Sequence, residues 1–222
     1  MRKYSINDKI FFSVVLTTFN REHILQNAVN SVLNQTFRDW ELIIVDDGST
    51  DNTYENVVIN YLDKDSRIKY IYQTNQKQAI AKNNGIRNSI GKYITFLDSD
   101  DLYLENHLFS RYNLLKSEVI DLLHGGISII GEEYVPSIYD LNSKIHLSEC
   151  IIGGTFFIKK SVLDKIGYFE NVIYGDDTSF YYKCLKNHLT IGKTNIKTYI
   201  YNRNSLDSIC NNIIKNEIKK NI

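Results

Sequence analysis

Along the first hundred residues two hydrophobic rhythms alternate. Phe12-Ser13-Val14-Val15-Leu16-Thr17 is a short β-branched run of the kind that forms a buried strand, and Glu41-Leu42-Ile43-Ile44-Val45 is another. Between them, Ile24, Leu25, Ala28, Val29, Val32 and Leu33 recur at helical spacing over residues 22–35. A second helical stripe follows at Tyr54, Val57, Val58, Tyr61 and Leu62, and Ile68-Lys69-Tyr70-Ile71-Tyr72 alternates as a third strand. Residues 78–90 predict a helix ended by Gly91, and Tyr93-Ile94-Thr95-Phe96-Leu97 a fourth buried strand. Such alternation implies right-handed crossovers, and so an α/β chain with a central, mostly parallel twisted sheet and helices on both faces.

The second half is less regular. Residues 102–116 predict a helix, 119–124 and Ile127–Ile130 strands around Gly125-Gly126, and 132–149 a long polar loop of the kind that often carries function. Ile151-Ile152-Gly153-Gly154-Thr155-Phe156-Phe157-Ile158 predicts a strand, 161–166 and 177–187 helices, and 194–201 a late strand. No repeat is present. The Asn/Lys/Ile-rich residues 209–222 are weakly amphipathic and read as a fraying helix or a membrane-surface contact through 215–220.

Open parallel sheets bind ligands at the carboxyl ends of their strands. There the chain places Thr18-Phe19-Asn20-Arg21, Asp46-Asp47-Gly48-Ser49-Thr50-Asp51 and Asp98-Ser99-Asp100-Asp101. Carboxylates gathered at the end of a buried strand raise one another's pKa and cost free energy unless a cation or a ring of donors accepts them. Hard oxygen ligands suit Mg²⁺ or Mn²⁺, which keep positions open for phosphate oxygens. Asp101 has a plainer reading as the cap of the next helix.

Composition narrows the classes. Of 222 residues, 43% are hydrophobic and 23% charged, as in an ordinary globular protein. A formal net charge of zero leaves no basic stripe for nucleic acid. Strand one is not followed by Gly-x-Gly-x-x-Gly, which argues against a Rossmann dehydrogenase. Cys150, Cys184 and Cys210 are odd in number and widely spaced, which fits a reducing compartment. No apolar run approaches the ~20 residues of a membrane span, and the first nine residues lack the apolar segment of a signal peptide. The expected location is therefore cytoplasmic.

Six segments in order resemble the inverting glycosyltransferases of the large family 2, which have the GT-A fold. They are Val14-Val15-Leu16-Thr17-Thr18-Phe19-Asn20-Arg21, Trp40 through Asp51, Ala81-Lys82-Asn83-Asn84-Gly85-Ile86, the DxD pattern Leu97-Asp98-Ser99-Asp100-Asp101, Gly167-Tyr168-Phe169-Glu170 with Gly175-Asp176-Asp177, and Tyr201-Asn202-Arg203-Asn204-Ser205. The resemblance spans residues 11–209. It implies a single domain over 1–222, with a nucleotide-sugar half at 11–101, an acceptor and base half at 102–209, and a tail at 210–222. Three departures stand out: Thr17 where the family often has Pro, Lys82 for the usual Arg, and Asp-Asp for the usual Glu-Asp pair.

The resemblance implies transfer of a sugar from a nucleoside diphosphate to a hydroxyl, with inversion. Thr17, Phe19 and Asn20 belong to the nucleotide loop; Phe19 would cover a base, and Asp46 or Asp47 would accept an N–H, with a turn as the plainer role of one of them. Uracil suits such a pocket, and dTDP and GDP donors are alternatives. Asp100 would hold a divalent metal, Mn²⁺ or Mg²⁺, with Asp98 reaching either the ribose or the metal's water shell, Ser99 binding the nucleotide-sugar, and Lys82 and Arg203 as further cations. Asp177, with Asp176 as the alternative, would be the general base; helix capping is the plainer role of both. Gly153, Gly154 and Thr155 would let an acceptor approach, or form a β-bulge. His124 and His146 are the histidines to place relative to that acceptor, and Tyr139 or Tyr174 a candidate platform for a sugar ring. The expected acceptor is a glycan or lipid-linked saccharide, met at the inner membrane face. Two other readings are a catalytically silent nucleotide-sugar-binding relative and a phosphoacceptor signalling domain.

Overall fold

Every residue of Phe12–Thr18 and of Trp40–Asp46 is buried, so both faces of these strands must be covered. The computed structural model describes residues 10–137, 139–140, 142–172 and 175–204. Tyr174, Ser205, Cys210 and the tail at 209–222 lie outside the described residues. The first half runs β1 (Phe12–Thr18), α1 (Leu25–Leu33), β2 (Trp40–Asp46), a π-type turn (Thr53–Val58) continuing into α2 (Ile59–Leu62), β3 (Ile68–Tyr72), α3 (Gln78–Arg87) and β4 (Tyr93–Asp98). The second half runs β5 (Leu102–Tyr103), α4 (His107–Leu115), β6 (Leu122–His124), β7 (Ile127–Ile130), β8 (Tyr134–Pro136), β9 (Lys144–His146), β10 (Phe157–Lys159), α5 (Lys160–Ile166), α6 (Asp176–Lys186), β11 (Ile191–Lys193) and β12 (Tyr199–Asn202).

The main sheet has the order β11-β6-β10-β4-β1-β2-β3, and only β10 runs antiparallel to its neighbours. Alternate residues of β1 feed two cores. Phe12, Val14 and Leu16 pack with Leu25, Ala28, Val29 and Val32 of α1; Val15 packs on the other face with Ala79, Ala81 and Ile86 of α3. Close contact of α3 with β1 requires Gly85, where a Cβ would lie 2.3 Å from Val15 Cγ1. The chain winds outward through β2 and β3, then returns to β4 on the other side of β1. That reversal is the switch point at which such sheets open a crevice.

Four expectations are corrected. Residues 102–116 are not one helix: Leu102 and Tyr103 form β5 against Ile200 and Tyr199 of β12, and helix begins only at His107. Asp101 therefore caps no helix. The 132–149 segment contains an antiparallel hairpin in which Pro136 sits opposite Lys144. Residues 151–158 are not one strand, because Gly153–Thr155 makes a 3₁₀ turn before β10. The 194–201 region yields β12 only from Tyr199, with β11 as an additional edge strand before it.

Candidate active site

Register brings the strand ends level: Thr17 of β1 lies opposite Asp98 of β4, and Thr18 opposite Asp46 of β2. The loops that leave these ends are tied by their own polar side chains. Asp46 accepts the Ser49 N–H at 2.8 Å and the Tyr70 hydroxyl at 3.0 Å, so it holds a turn and does not face the crevice. Asn20, in the left-handed region, accepts the Thr50 N–H through its side chain at 2.7 Å and clamps two loops together. Asp47 accepts Gln73 Nε2 at 2.7 Å and the Gln76 N–H at 2.8 Å on one oxygen, and the Lys77 N–H at 2.9 Å on the other, yet still borders the crevice.

Past these loops opens a cavity of about 820 Å³. Thr17, Phe19, Asp47, Lys82, Asp98, Ser99, Asp100, Gly153, Gly154, Asp176, Asp177 and Arg203 all border it. The Phe19 ring is exposed rather than packed in a core, and Arg203 is buried rather than at the surface. At the other end the lining turns apolar, with Val135, Pro136, Ile145, Leu147, Ile151 and Ile152. There Tyr139 of the hairpin meets Tyr182 of α6 hydroxyl to hydroxyl at 3.1 Å. Thr155 is outside the lining: its hydroxyl donates to Ile152 O at 2.7 Å and accepts the Gly125 N–H at 3.0 Å. His124 packs edge-on against Tyr181. His146 bonds Ser148 and Glu133. Neither histidine borders the cavity.

Charge is concentrated where β4, α3 and α6 meet. The Lys82 ammonium, almost wholly buried, donates to Asp176 at 3.0 Å and lies 5.4 Å from the Phe169 ring centre. Burial works against its charge, but Asp176, Asp98 and Asp177 together outweigh it and hold the amine above the ordinary lysine range. Burial and then Asp176 push the Asp177 carboxyl above its usual value, against Lys82 and the N–H groups of Gly153 and Thr178. Those N–H groups donate to Asp177 at 3.0 and 2.7 Å. Asp176 and Asp177 open α6, where the helix dipole also favours negative charge. Asp98 is pushed up to about 6 by burial, with Asp100 and Asp176 adding to it and Lys82 and Gln78 opposing. Asp100 is partly exposed, 3.9 Å from Arg21.

A buried scaffold positions these groups. Asp101 accepts the Tyr199 hydroxyl at 2.6 Å and the Asn202 N–H at 2.8 Å, which ties the acidic turn to the strand that leads into Arg203. Gly154 is required by the same tyrosine, since a Cβ there would lie 2.2 Å from Tyr199 Oη. At Gly153 a Cβ would lie 2.9 Å from Asp177 Cβ. The two glycines thus serve internal packing, not a β-bulge. Asn83 exchanges hydrogen bonds with the Phe169 backbone at 2.8 and 3.0 Å, joining α3 to the loop before α6. Arg21, Lys77 and Gln78 also border the cavity. Gln78 donates to Asp98 at 2.7 Å. Sequence reading placed Arg21 at this sheet edge but singled out neither Lys77 nor Gln78; for Gln78 the polar run Thr74-Asn75-Gln76 before it was the available signal.

Asp98 and Asp100 could together hold a hard divalent cation. Both are oxygen donors with repelling charge and a cavity beside them, which leaves room for water and phosphate oxygens to complete a shell. No cluster of three or more His, Cys, Asp or Glu side chains able to hold a metal occurs among the described residues. Nor is any helix among them long and apolar enough to cross a membrane.

The sequence profile of Glycosyl transferase family 2 matches residues 13–169. An uncharacterized glycosyltransferase of Rickettsia conorii is 38% identical over 141 residues, 63% of this chain and 23% of that protein. The UDP-Glc:alpha-D-GlcNAc-diphosphoundecaprenol beta-1,3-glucosyltransferase WfgD of Escherichia coli is 32% identical over 151 residues, 66% of this chain and 58% of that protein. Among solved structures, S. aureus TarS 1-349 in complex with UDP-GlcNAc superposes with a TM-score of 0.74 at 22% identity, covering 90% of this chain and 60% of that one. The chain thus spans less than two thirds of each of these proteins.

Proposed function

Because the chain belongs to glycosyl transferase family 2 and has the GT-A fold, we propose that it moves a sugar from a nucleoside diphosphate donor to a hydroxyl of a lipid-linked saccharide, with inversion at the anomeric carbon. The observation that carries this reading is the convergence of Asp98, Asp100, Lys82, Asp176 and Asp177 on one cavity, from the end of β4, from α3 and from the distant α6. The acidic strand end and the exposed Phe19 ring suit the nucleotide. The apolar end with its two tyrosines suits the acceptor, and WfgD, named for a diphosphoundecaprenol-linked acceptor, supports that class. UDP is the preferred donor nucleotide, since Asp47 and Phe19 both border the cavity, the one as acceptor of a base N–H and the other as cover for the base.

The acceptor hydroxyl gives its proton to Asp177 as its oxygen attacks the anomeric carbon. The bond from that carbon to the phosphate oxygen breaks on the opposite face, and its electron pair leaves with the nucleoside diphosphate. A carboxylate with raised proton affinity beside a cation suits this task, and such a base typically contributes ~10²–10⁴-fold. Asp176 is the weaker candidate because Lys82 holds it as an ion pair. Lys82 and Arg203 offer positive charge to the departing diphosphate. Mn²⁺ or Mg²⁺ held by Asp100 and Asp98 would neutralise part of that charge when bound. A polyprenyl-linked acceptor places the reaction at a membrane surface, on the cytoplasmic side.

The test is to incubate the protein with UDP-, dTDP- and GDP-sugars and a polyprenyl-diphosphate-linked saccharide, and to read the product's anomeric configuration by NMR. One donor should be consumed and its configuration inverted. Retention of configuration, or nucleotide binding without transfer to any acceptor, would overturn the reading.

A further inference from the structure

Lys77 precedes α3 with φ 76° and ψ 165°. That backbone region is close to glycine-only, and a residue with a side chain stays there only when its surroundings force it. The forcing contacts are visible. The Lys77 N–H donates to Asp47 at 2.9 Å, and its carbonyl accepts the Ala81 N–H at 3.1 Å. Both are backbone contacts that a glycine would make equally well, without strain. What a glycine would not supply is the charged side chain, at a residue that borders the cavity together with Asp47, Gln78 and Asp98.

The charges around it sharpen the point. Lys82 is matched to Asp176 at 3.0 Å, and Arg21 lies 3.9 Å from Asp100. The Lys77 ammonium makes no hydrogen bond or ion pair among the described residues. An unmatched cation on an exposed residue at the border of a ligand cavity, held there by a strained backbone, is suited to a ligand with exposed oxygens.

We propose that Lys77 is a donor-binding residue whose ammonium bonds an oxygen of the nucleotide, a base carbonyl or a phosphate oxygen, at the Asp47 end of the cavity. The inference rests on the reading of this cavity as a nucleotide-sugar site and adds to it a residue chosen for its charge at the expense of backbone ease. Asp47 links the two, since the carboxylate that borders the base pocket also fixes the Lys77 conformation.

The test compares wild type with Lys77→Gly, Lys77→Ala and Lys77→Arg, with Mn²⁺ present. UDP, GDP and dTDP are titrated calorimetrically, and melting temperatures are read without ligand. For the diphosphate that wild type binds best, Gly and Ala should bind about tenfold more weakly and Arg within about threefold. Gly alone should raise the melting temperature, by about 2–4 °C, because it alone removes the strain. Repeating the titration with the matching nucleoside and monophosphate separates the two oxygens. An equal loss on the nucleoside assigns the base carbonyl, and a loss confined to the phosphorylated ligands assigns the phosphate. Gly and Ala variants that bind as wild type does would overturn the role of Lys77 and leave the donor site standing. Wild type that binds none of the three diphosphates would overturn both.

Discussion

Lys82 and Asp176 are 94 positions apart in the chain and 3.0 Å apart in the cavity. One comes from the first-half helix behind β1, the other from the first turn of α6, so their ion pair joins the two halves at the point where the acids gather. Removing one partner of a buried pair leaves a charge without compensation, which is far costlier than replacing both. Asp176→Ala should therefore lower stability by about 2–4 kcal/mol in denaturant unfolding, while Lys82→Met with Asp176→Leu recovers most of that loss without restoring activity. A single variant as stable as wild type would mean that the pair holds nothing together.

His124 gives a pH dependence of definite sign. Burial, and then Lys193, hold its imidazole down at about 4, whereas the unfolded chain titrates near 6.5. Between those values the unfolded state binds more protons, so this contribution to stability is present above pH 6.5 and is lost as pH falls toward 4. Asp98, pushed up to about 6, contributes with the opposite sign in much of the same window. Subtraction isolates the histidine. Between pH 7 and pH 4, wild type should lose on the order of 2–3 kcal/mol more than His124→Gln. Parallel curves would show that His124 titrates normally in the folded protein.

If Asp100 holds a divalent cation, the metal-dependent part of nucleotide binding should vanish with it. In melting curves, Mn²⁺ should add to the stabilisation by UDP for wild type and add nothing for Asp100→Asn. Chelator should bring wild type down to the variant's level. An Mn²⁺ increment that survives in Asp100→Asn would place the cation elsewhere.

Tyr139 and Tyr182 meet hydroxyl to hydroxyl, and both border the cavity. Tyr139→Ala or Tyr182→Ala should raise the acceptor KM by about 3–10-fold and leave the donor KM unchanged, the worth of one aromatic contact. A matching rise in donor KM would show that the pair instead shapes the whole cavity.

Much of the fold was legible because local pattern and tertiary demand agree in the first half. Runs such as Val14-Val15-Leu16 and Leu42-Ile43-Ile44-Val45 are buried on both faces, and the acids after them could only lie at one sheet edge. The second half was less legible where distant partners override local preference. Leu102 and Tyr103 continue a helical stripe in sequence but are taken as a strand by Tyr199 and Ile200. Gly153 interrupts an apolar run because its N–H serves the Asp177 carboxylate. Within the candidate site, residue type pointed to side chains that the fold gathers around one cavity, without saying which were already engaged. Asp46, Asn20 and Thr155 have their oxygens taken up in holding loops, while Asp47 and Asp177 make similar bonds and still face the cavity. Lys77 was invisible because its significance lies in a backbone angle.

The decisive experiment is sugar transfer to a polyprenyl-diphosphate-linked saccharide by Asp177→Asn, beside wild type and Asp176→Asn, with UDP binding measured on the same preparations. If Asp177 is the base, Asp177→Asn lowers kcat by ~10²–10⁴-fold while UDP binds as it does to wild type. Transfer at the wild-type rate by Asp177→Asn would overturn the mechanism, and loss confined to Asp176→Asn would move the proton to its neighbour.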